Sequence, residues 1–243
     1  MVTREFRPLA TGEALDVAIN VTKRAFAVLA PFAVATVGTS GLGAYAFFTL
    51  GPGFQLAALI SLLTVPFALL VMCVVALDTY FGRTATVASA IRSSLRPTAL
   101  VIGYLVFGAS LMGLVAGVLP GLVILAWAGI AVPIVIEEHG RLFDTIARTW
   151  RLTRGVRGTI LAFYLWFALI LGVLTAAVWI TAFGLEALGV GLDPSVVLWP
   201  LAFVTAAAAI PIFPVGLAVM YVDARVRNEA FDLQQRLEAI RTS

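Results

Sequence analysis

The chain has 243 residues, 61% of them hydrophobic and 12% charged, with a formal net charge of +3. Soluble domains are roughly 45–50% apolar and about 25% charged, so this composition excludes a soluble globular protein. A spanning helix needs about 20 apolar residues, and this length holds six spans with short connections and no separate soluble domain.

Residues 1–28 read as a cytoplasmic tail followed by an interfacial helix. Thr11 or Gly12 is placed to cap a helix with Glu13 in its first turn. Leu15, Ala18, Val21, Thr22, Ala25 and Phe26 recur at helical spacing, with Asp16, Asn20, Lys23 and Arg24 mostly opposite. This predicts an amphipathic helix over 11–28, lying along a membrane surface. No apolar core with a small-residue cleavage site precedes it, so no cleaved signal peptide is expected.

The membrane domain then covers about 29–222. Span 1 is about 29–50, broken by Gly51-Pro52-Gly53. Span 2 is about 55–78 and ends at Asp78. A second amphipathic helix follows over about 85–96, with Arg92 and Arg96 at its polar edge. Span 3 is about 97–118, Pro120-Gly121 forms an outer turn, and span 4 is about 120–136, ending at Glu137-Glu138.

The third surface helix, about 141–154, is the most polar run inside the apolar chain. Arg141, Asp144, Arg148 and Arg151 mark one stripe, and Leu142, Phe143, Ile146 and Trp150 the opposite one. Gly155 is placed to end the helix. Span 5 is about 158–184 and span 6 about 196–222, the latter containing Pro200, Pro211 and Pro214. Residues 223–243 form a charged cytoplasmic C-terminal helix. The fold class is therefore all-α: six transmembrane helices in three hairpins, each preceded by a cytoplasmic amphipathic helix.

Asp78, Glu137 and Asp223 close the three even spans, which gives a weak threefold repeat. Shared apolar composition explains such a likeness as readily as common descent.

Six spans place all 16 Lys and Arg on one side. That side also carries 11 of the 13 acidic residues, giving 16 − 11 = +5; the other has only Glu186 and Asp193, giving −2. Positive loops stay cytoplasmic, so both termini are expected inside, in a cytoplasmic membrane.

Three constellations follow. Arg141, Arg148, Arg151, Arg154 and Arg157, with Trp150, suit anionic headgroups or a membrane-protein partner; each basic residue near an anionic surface contributes about 1 kcal/mol. The plainer reading is that these arginines hold the loop inside. Asp78, Glu137 and Asp223 are expected to form span-end ion pairs with nearby arginines such as Arg83, Arg141 and Arg225, where the cost of a charge at the bilayer centre is avoided. Gly113-x3-Gly117-x3-Gly121 allows close helix approach within the chain. His139 is the only histidine and Cys73 the only cysteine. The residues therefore point to no metal site, disulfide, catalytic residue or cofactor, and to no nucleic acid.

Three segments together resemble a known family. They are Arg7-Pro8-Leu9 with Gly12-Glu13 and Leu15-Asp16; Val132-Pro133-Ile134 to Glu137 with Thr149-Trp150-Arg151-Leu152-Thr153-Arg154-Gly155; and Tyr221-x-Asp223-x-Arg225-x-Arg227-x-Glu229-x-Phe231-Asp232-Leu233. Over nearly its whole length the chain is similar to the membrane domain attached to some bacterial glycerophosphoryl diester phosphodiesterases, a domain that also occurs alone as a six-span protein in bacteria and archaea. One departure is Ala10-Thr11, where the resemblance implies a Ser-containing pair. The phosphodiesterases place catalysis in a separate soluble barrel that is missing here, so the resemblance implies a membrane module without that activity, tied to lipid or envelope physiology.

Two readings of function follow. One is a non-enzymatic inner-membrane scaffold or regulator acting through its cytoplasmic helices. The other is a small transporter or lipid translocator using the Pro-broken spans. A transporter requires a polar cavity where residues such as Thr64, Ser110 and Thr205 converge; a scaffold requires an apolar bundle with its charge contacts at the cytoplasmic face. Oligomeric state, ligand and pathway stay open.

Overall fold

The computed structural model describes residues 8–49, 54–116, 118–188 and 194–229, and these are helical with no strand among them. Ten helices follow in order: α1 (Thr11–Thr49), α2 (Phe54–Tyr80), α3 (Val87–Ser94), α4 (Pro97–Ala116), α5 (Val118–Ala128), α6 (Ala131–Glu138), α7 (Leu142–Leu152), α8 (Arg157–Ala187), α9 (Pro194–Ala209) and α10 (Ile212–Glu229). The expected turn at 51–53, the outer residues 189–193 and the tail from 230 onward lie outside the described residues.

The first correction concerns α1, which runs unbroken through the boundary expected at residue 28. Ala14, Ala18, Val21, Ala25, Leu29 and Ala33 are all buried, at steps of three or four residues. One stripe therefore serves both the surface half and the apolar half. Asp16, Asn20, Lys23 and Arg24 are exposed on the other side, as the spacing predicts. The 39 residues extend about 58 Å at 1.5 Å per residue, nearly twice the hydrocarbon core of about 30 Å.

The second correction concerns spans 4 and 6. Pro120-Gly121 lies within α5 instead of in a turn, span 4 is divided between α5 and α6, and span 6 is divided between α9 and α10. Pro120, Pro133 and Pro214 each occupy the third position of their helix. There the missing N–H costs nothing, because the first N–H groups of a helix have no intrahelical carbonyl. The ring also blocks an α-helical approach to the residue four before it. The two breaks share one pattern: Val132 N–H donates to Gly129 O and Phe213 N–H to Ile210 O, both at 3.1 Å. They lie 137 − 129 = 8 and 223 − 210 = 13 residues before their acids, and α2 passes Pro66 without a break. The breaks therefore do not keep the register of the threefold repeat.

Four segments are long and apolar enough to cross a membrane: Thr11–Leu42, Leu59–Tyr80, Arg157–Ala187 and Ser195–Glu229. A fifth is added if α3 and α4, which meet at 81°, form one bent span. The chain is an all-helical, multi-pass membrane protein. The six separate spans expected from the sequence exceed what helix length and apolarity alone carry.

α1 packs along α2, α4 against α5 and α8 against α9, while α10 contacts both α1 and α2. The core is centred on α2 and α10, where Leu70–Leu77 and Val215–Ala224 are almost wholly buried. Lipid tails are as apolar as leucine, so such a bundle is held by close packing more than by the hydrophobic effect. The glycines at the contacts follow from this. A Cβ on Gly113 would lie 2.7 Å from Gly121 Cα, and one on Gly103 2.7 Å from the Leu70 side chain. One on Gly216 would overlap the Phe163 ring. Outward, Leu59, Ile60, Leu63, Trp166, Leu169, Val173, Ile180 and Trp199 are exposed, as lipid-facing positions require.

Candidate functional site at the polar end of the bundle

The ion-paired side chains of the described residues gather at one end. Arg83, in the loop after α2, donates through Nη2 to both carboxylate oxygens of Glu137 on α6, at 2.7 and 2.8 Å. Its Nε lies 3.7 Å from Asp78, and its guanidinium sits over the Phe81 ring. Arg148 on α7 donates through Nε to Glu138 Oε2 at 2.9 Å and pairs with Glu229 on α10. Hydrogen bonds to Glu229 and Glu138 raise the Arg148 pKa above its ordinary value. Arg225 pairs with Glu229 at 3.1 Å and donates to Tyr221 Oη, which donates in turn to Glu138 at 3.1 Å.

A second group fastens the N-terminal approach. Asp223 on α10 is buried and accepts from the Leu9 N–H at 2.7 Å and from Arg227 Nε at 2.8 Å. Arg227 Nη2 donates to the Leu9 carbonyl. Asn228 donates to the Leu152 carbonyl at the end of α7 at 2.7 Å. Leu9, Arg83, Glu137, Arg148 and Asp223 thus meet at one end, so the chain leaves that end and comes back to it three times.

The span-end acids expected to pair all do so; Asp78 keeps the nearby Arg83, while the other two take partners that local spacing did not indicate. Glu137 takes Arg83, 54 positions away, instead of Arg141. Asp223 takes Arg227, while Arg225 turns to Glu229. Arg148, expected among the lipid-facing arginines, is half-buried and held between two carboxylates.

Arg141, Arg151 and Arg154 are exposed, and no ion pair among the described residues engages them. α7 turns Thr145, Thr149 and Leu152 inward. The threonines are tolerated there because each hydroxyl donates to the carbonyl four residues earlier, at 2.9 and 2.8 Å. Phe143, Ile146 and Trp150 are exposed, so α7 offers its apolar stripe to the surroundings, as an interfacial helix does. α3 repeats the arrangement, with Ala90 and Ser94 inside and Val87 exposed. His139 caps the end of α6 in a left-handed conformation, φ 56°.

Arg157 behaves differently from the other arginines. It is the first residue of α8 and is half-buried. Its guanidinium carbon lies 3.9 Å from the Trp150 ring centre and 5.1 Å from that of Trp127. Its Nη2 is shut from solvent and has no hydrogen-bond partner among the described residues. Sequence reasoning had singled out Arg157 and Trp150 but not Trp127. Nothing in the spacing of Trp127 marks it, since it reads as one more apolar residue of span 4. Beside this cluster runs a groove of about 390 Å³ between α4, the α5–α6 break and α7, lined by Leu105, Ala109, Trp127, Ile146 and Trp150 among others.

Deeper in the bundle a cavity of about 240 Å³ lies between α2, α4, α6 and α10. Among the described residues Ser110 is its one polar lining residue, and the Ser110 hydroxyl has no hydrogen-bond partner there. Thr64 donates to the Ile60 carbonyl of its own helix. Neither Thr64 nor Thr205 lines this cavity.

No protein-family model matches the chain, and no curated protein or solved structure matches it either. What can be concluded of its class is the multi-pass helical membrane protein described above.

Proposed function

We propose that this protein is a non-enzymatic membrane scaffold or regulator whose cytoplasmic face engages anionic lipid or a membrane-protein partner. The observation that carries the reading is the division of polarity. The described ion pairs, with the hydrogen bonds of Leu9 to Asp223 and Arg227, gather at one end and lock α2, α6, α7, α10 and the Leu9 segment together, while the interior cavity is apolar. A rigid polar end bearing exposed Arg141, Arg151 and Arg154 on an interfacial helix suits contact with a charged surface. A transport path needs polar groups facing one another at membrane depth, and Thr64, Ser110 and Thr205 do not converge on this cavity.

In this reading the chain makes six passes, with the two divided spans crossing as broken helices. The three returns to one end support that count, and the positive-inside rule puts that end, with both termini, in the cytoplasm. The three segments similar to the membrane domain of glycerophosphoryl diester phosphodiesterases support a link to lipid or envelope physiology. The test is purification of the full chain from native membranes in mild detergent, followed by mass spectrometry of bound lipids and proteins. A stoichiometric anionic lipid or a partner protein is the expected result. Recovery of neither would overturn the proposal.

A further inference from the structure

Arg157 is in an unusual position for a cation. The N-terminus of a helix carries partial positive charge, which disfavours Lys and Arg in the first turn, yet Arg157 opens α8, a helix of 31 residues. Val156 supplies no side-chain cap to that helix end. No ion pair among the described residues offsets the Arg157 charge. Its one side-chain hydrogen bond among the described residues is long, 3.5 Å from Nε to Thr153 Oγ1. Trp150 and Trp127 attract the guanidinium through their ring faces, an interaction worth about 0.5–2 kcal/mol, but they accept no hydrogen bond from Nη2. Among the described residues the guanidinium is thus held in place with one donor unsatisfied and no acidic partner, where an anion would complete it.

The neighbouring groove supplies the second half of a ligand site. It is apolar, both tryptophans line it, and its volume of about 390 Å³ falls within the range of roughly 300–1,000 Å³ usual for small-molecule sites. Tryptophans concentrate at the membrane–water boundary, so the pair places Arg157 at headgroup depth and the groove below it at acyl depth. Exposed Arg151 and Arg154 add positive potential around the opening. A molecule matching this arrangement has an anionic oxygen cluster and an apolar tail.

We propose that this cleft binds one anionic glycerophospholipid of the adjoining leaflet, its phosphodiester on the Arg157 fork and one acyl chain in the groove between α4 and α7. The proposal deepens the lipid-contact reading above and rests on it. Planar, forked donors match phosphate oxygens in pairs, and it is the hold of Trp150 and Trp127 on the guanidinium that distinguishes Arg157 from the exposed arginines on and beside α7.

The test is native mass spectrometry of the full chain in detergent, titrated with phosphatidylglycerol or phosphatidylcholine. One phosphatidylglycerol should bind the unaltered chain tightly, and phosphatidylcholine clearly less well. Arg157→Gln should weaken that binding by about tenfold or more. Ala109→Phe, which fills the groove from an exposed position on α4, should weaken it to a similar degree. Arg92→Gln, at an exposed position on α3 away from the cleft, should leave it within about twofold. Each variant is compared at an unchanged thermal midpoint, and the two site variants, which act from different helices, test the proposal independently. Retention of full affinity by both, or equal affinity for phosphatidylcholine, would overturn it. Equal weakening by Arg92→Gln would also overturn the site while leaving general anionic attraction of this face intact. Absence of any bound phosphatidylglycerol on the unaltered chain would overturn both readings of lipid contact.

Discussion

Arg148 separates a structural arginine from a lipid-facing one. It bridges Glu138 on α6 and Glu229 on α10, and Arg148→Ala takes one partner from each carboxylate, leaving Glu138 with Tyr221 and Glu229 with Arg225. A hydrogen bond to a charged group contributes about 1.5–3 kcal/mol when shielded. The three side chains keep 24%, 26% and 21% of their exposure, so screening pulls each contact toward the value of about 0.2–1 kcal/mol found for exposed pairs. About 1 kcal/mol for each carboxylate gives a loss of about 2 kcal/mol. For a chain of this length that corresponds to a fall of roughly 4–8 °C in thermal midpoint. The assay is thermal unfolding of the purified protein in detergent, run as a double-mutant cycle with Glu229→Gln. Coupling of about 0.5 kcal/mol or more between the two sites is expected, with phosphatidylglycerol binding unchanged. An Arg148→Ala protein that melts with the unaltered chain and loses lipid would refute the reasoning.

Other consequences are equally direct. Asp223→Ala leaves the Leu9 N–H and Arg227 without their acceptor; a loss of about 2–3 kcal/mol and faster amide hydrogen exchange at Leu9 are expected. Gly216→Ala forces a Cβ into the Phe163 ring and should cost about 1–3 kcal/mol in thermal unfolding, whereas Gly172→Ala, which meets nothing within 4 Å, should stay within about 0.5 kcal/mol. Tyr104→Phe removes the hydroxyl that donates to the Leu63 carbonyl at 2.5 Å and should cost about 0.6 kcal/mol, the average for hydrogen bonds between membrane helices.

The helical class, the interfacial helix now seen as α7 and the long helix α8 were legible in the sequence, because each rests on an unbroken stretch of one composition or one period. The seamless α1 was legible in principle: the Ala14–Ala33 stripe runs through residue 28, but the change from charged to apolar outward residues drew attention away from the inward face. The breaks before α6 and α10 follow from Pro133 and Pro214, yet Pro31 and Pro66 lie inside continuous helices. Proline alone therefore marks where a break is allowed. The choice among ionic partners was not legible. Arg83 with Glu137, Arg148 with Glu229 and Asp223 with Leu9 are all brought together by the returns of the chain, and local spacing favours other pairings in each case. Trp127 became part of the candidate site for the same reason, being set against Arg157 only by the packing of α5 on α8.

The basic end, with α7 and the exposed Arg141, Arg151 and Arg154, is proposed to face the cytoplasm in a chain that makes paired crossings. The direct measurement is labelling of single cysteines by a membrane-impermeant maleimide, in intact cells and in inverted vesicles expressing the full chain. Cys73 is buried and leaves a low background. Arg154→Cys should react only in inverted vesicles and Glu186→Cys only in intact cells. Labelling of Arg154→Cys from outside intact cells, or of both positions from the same side, would contradict the account.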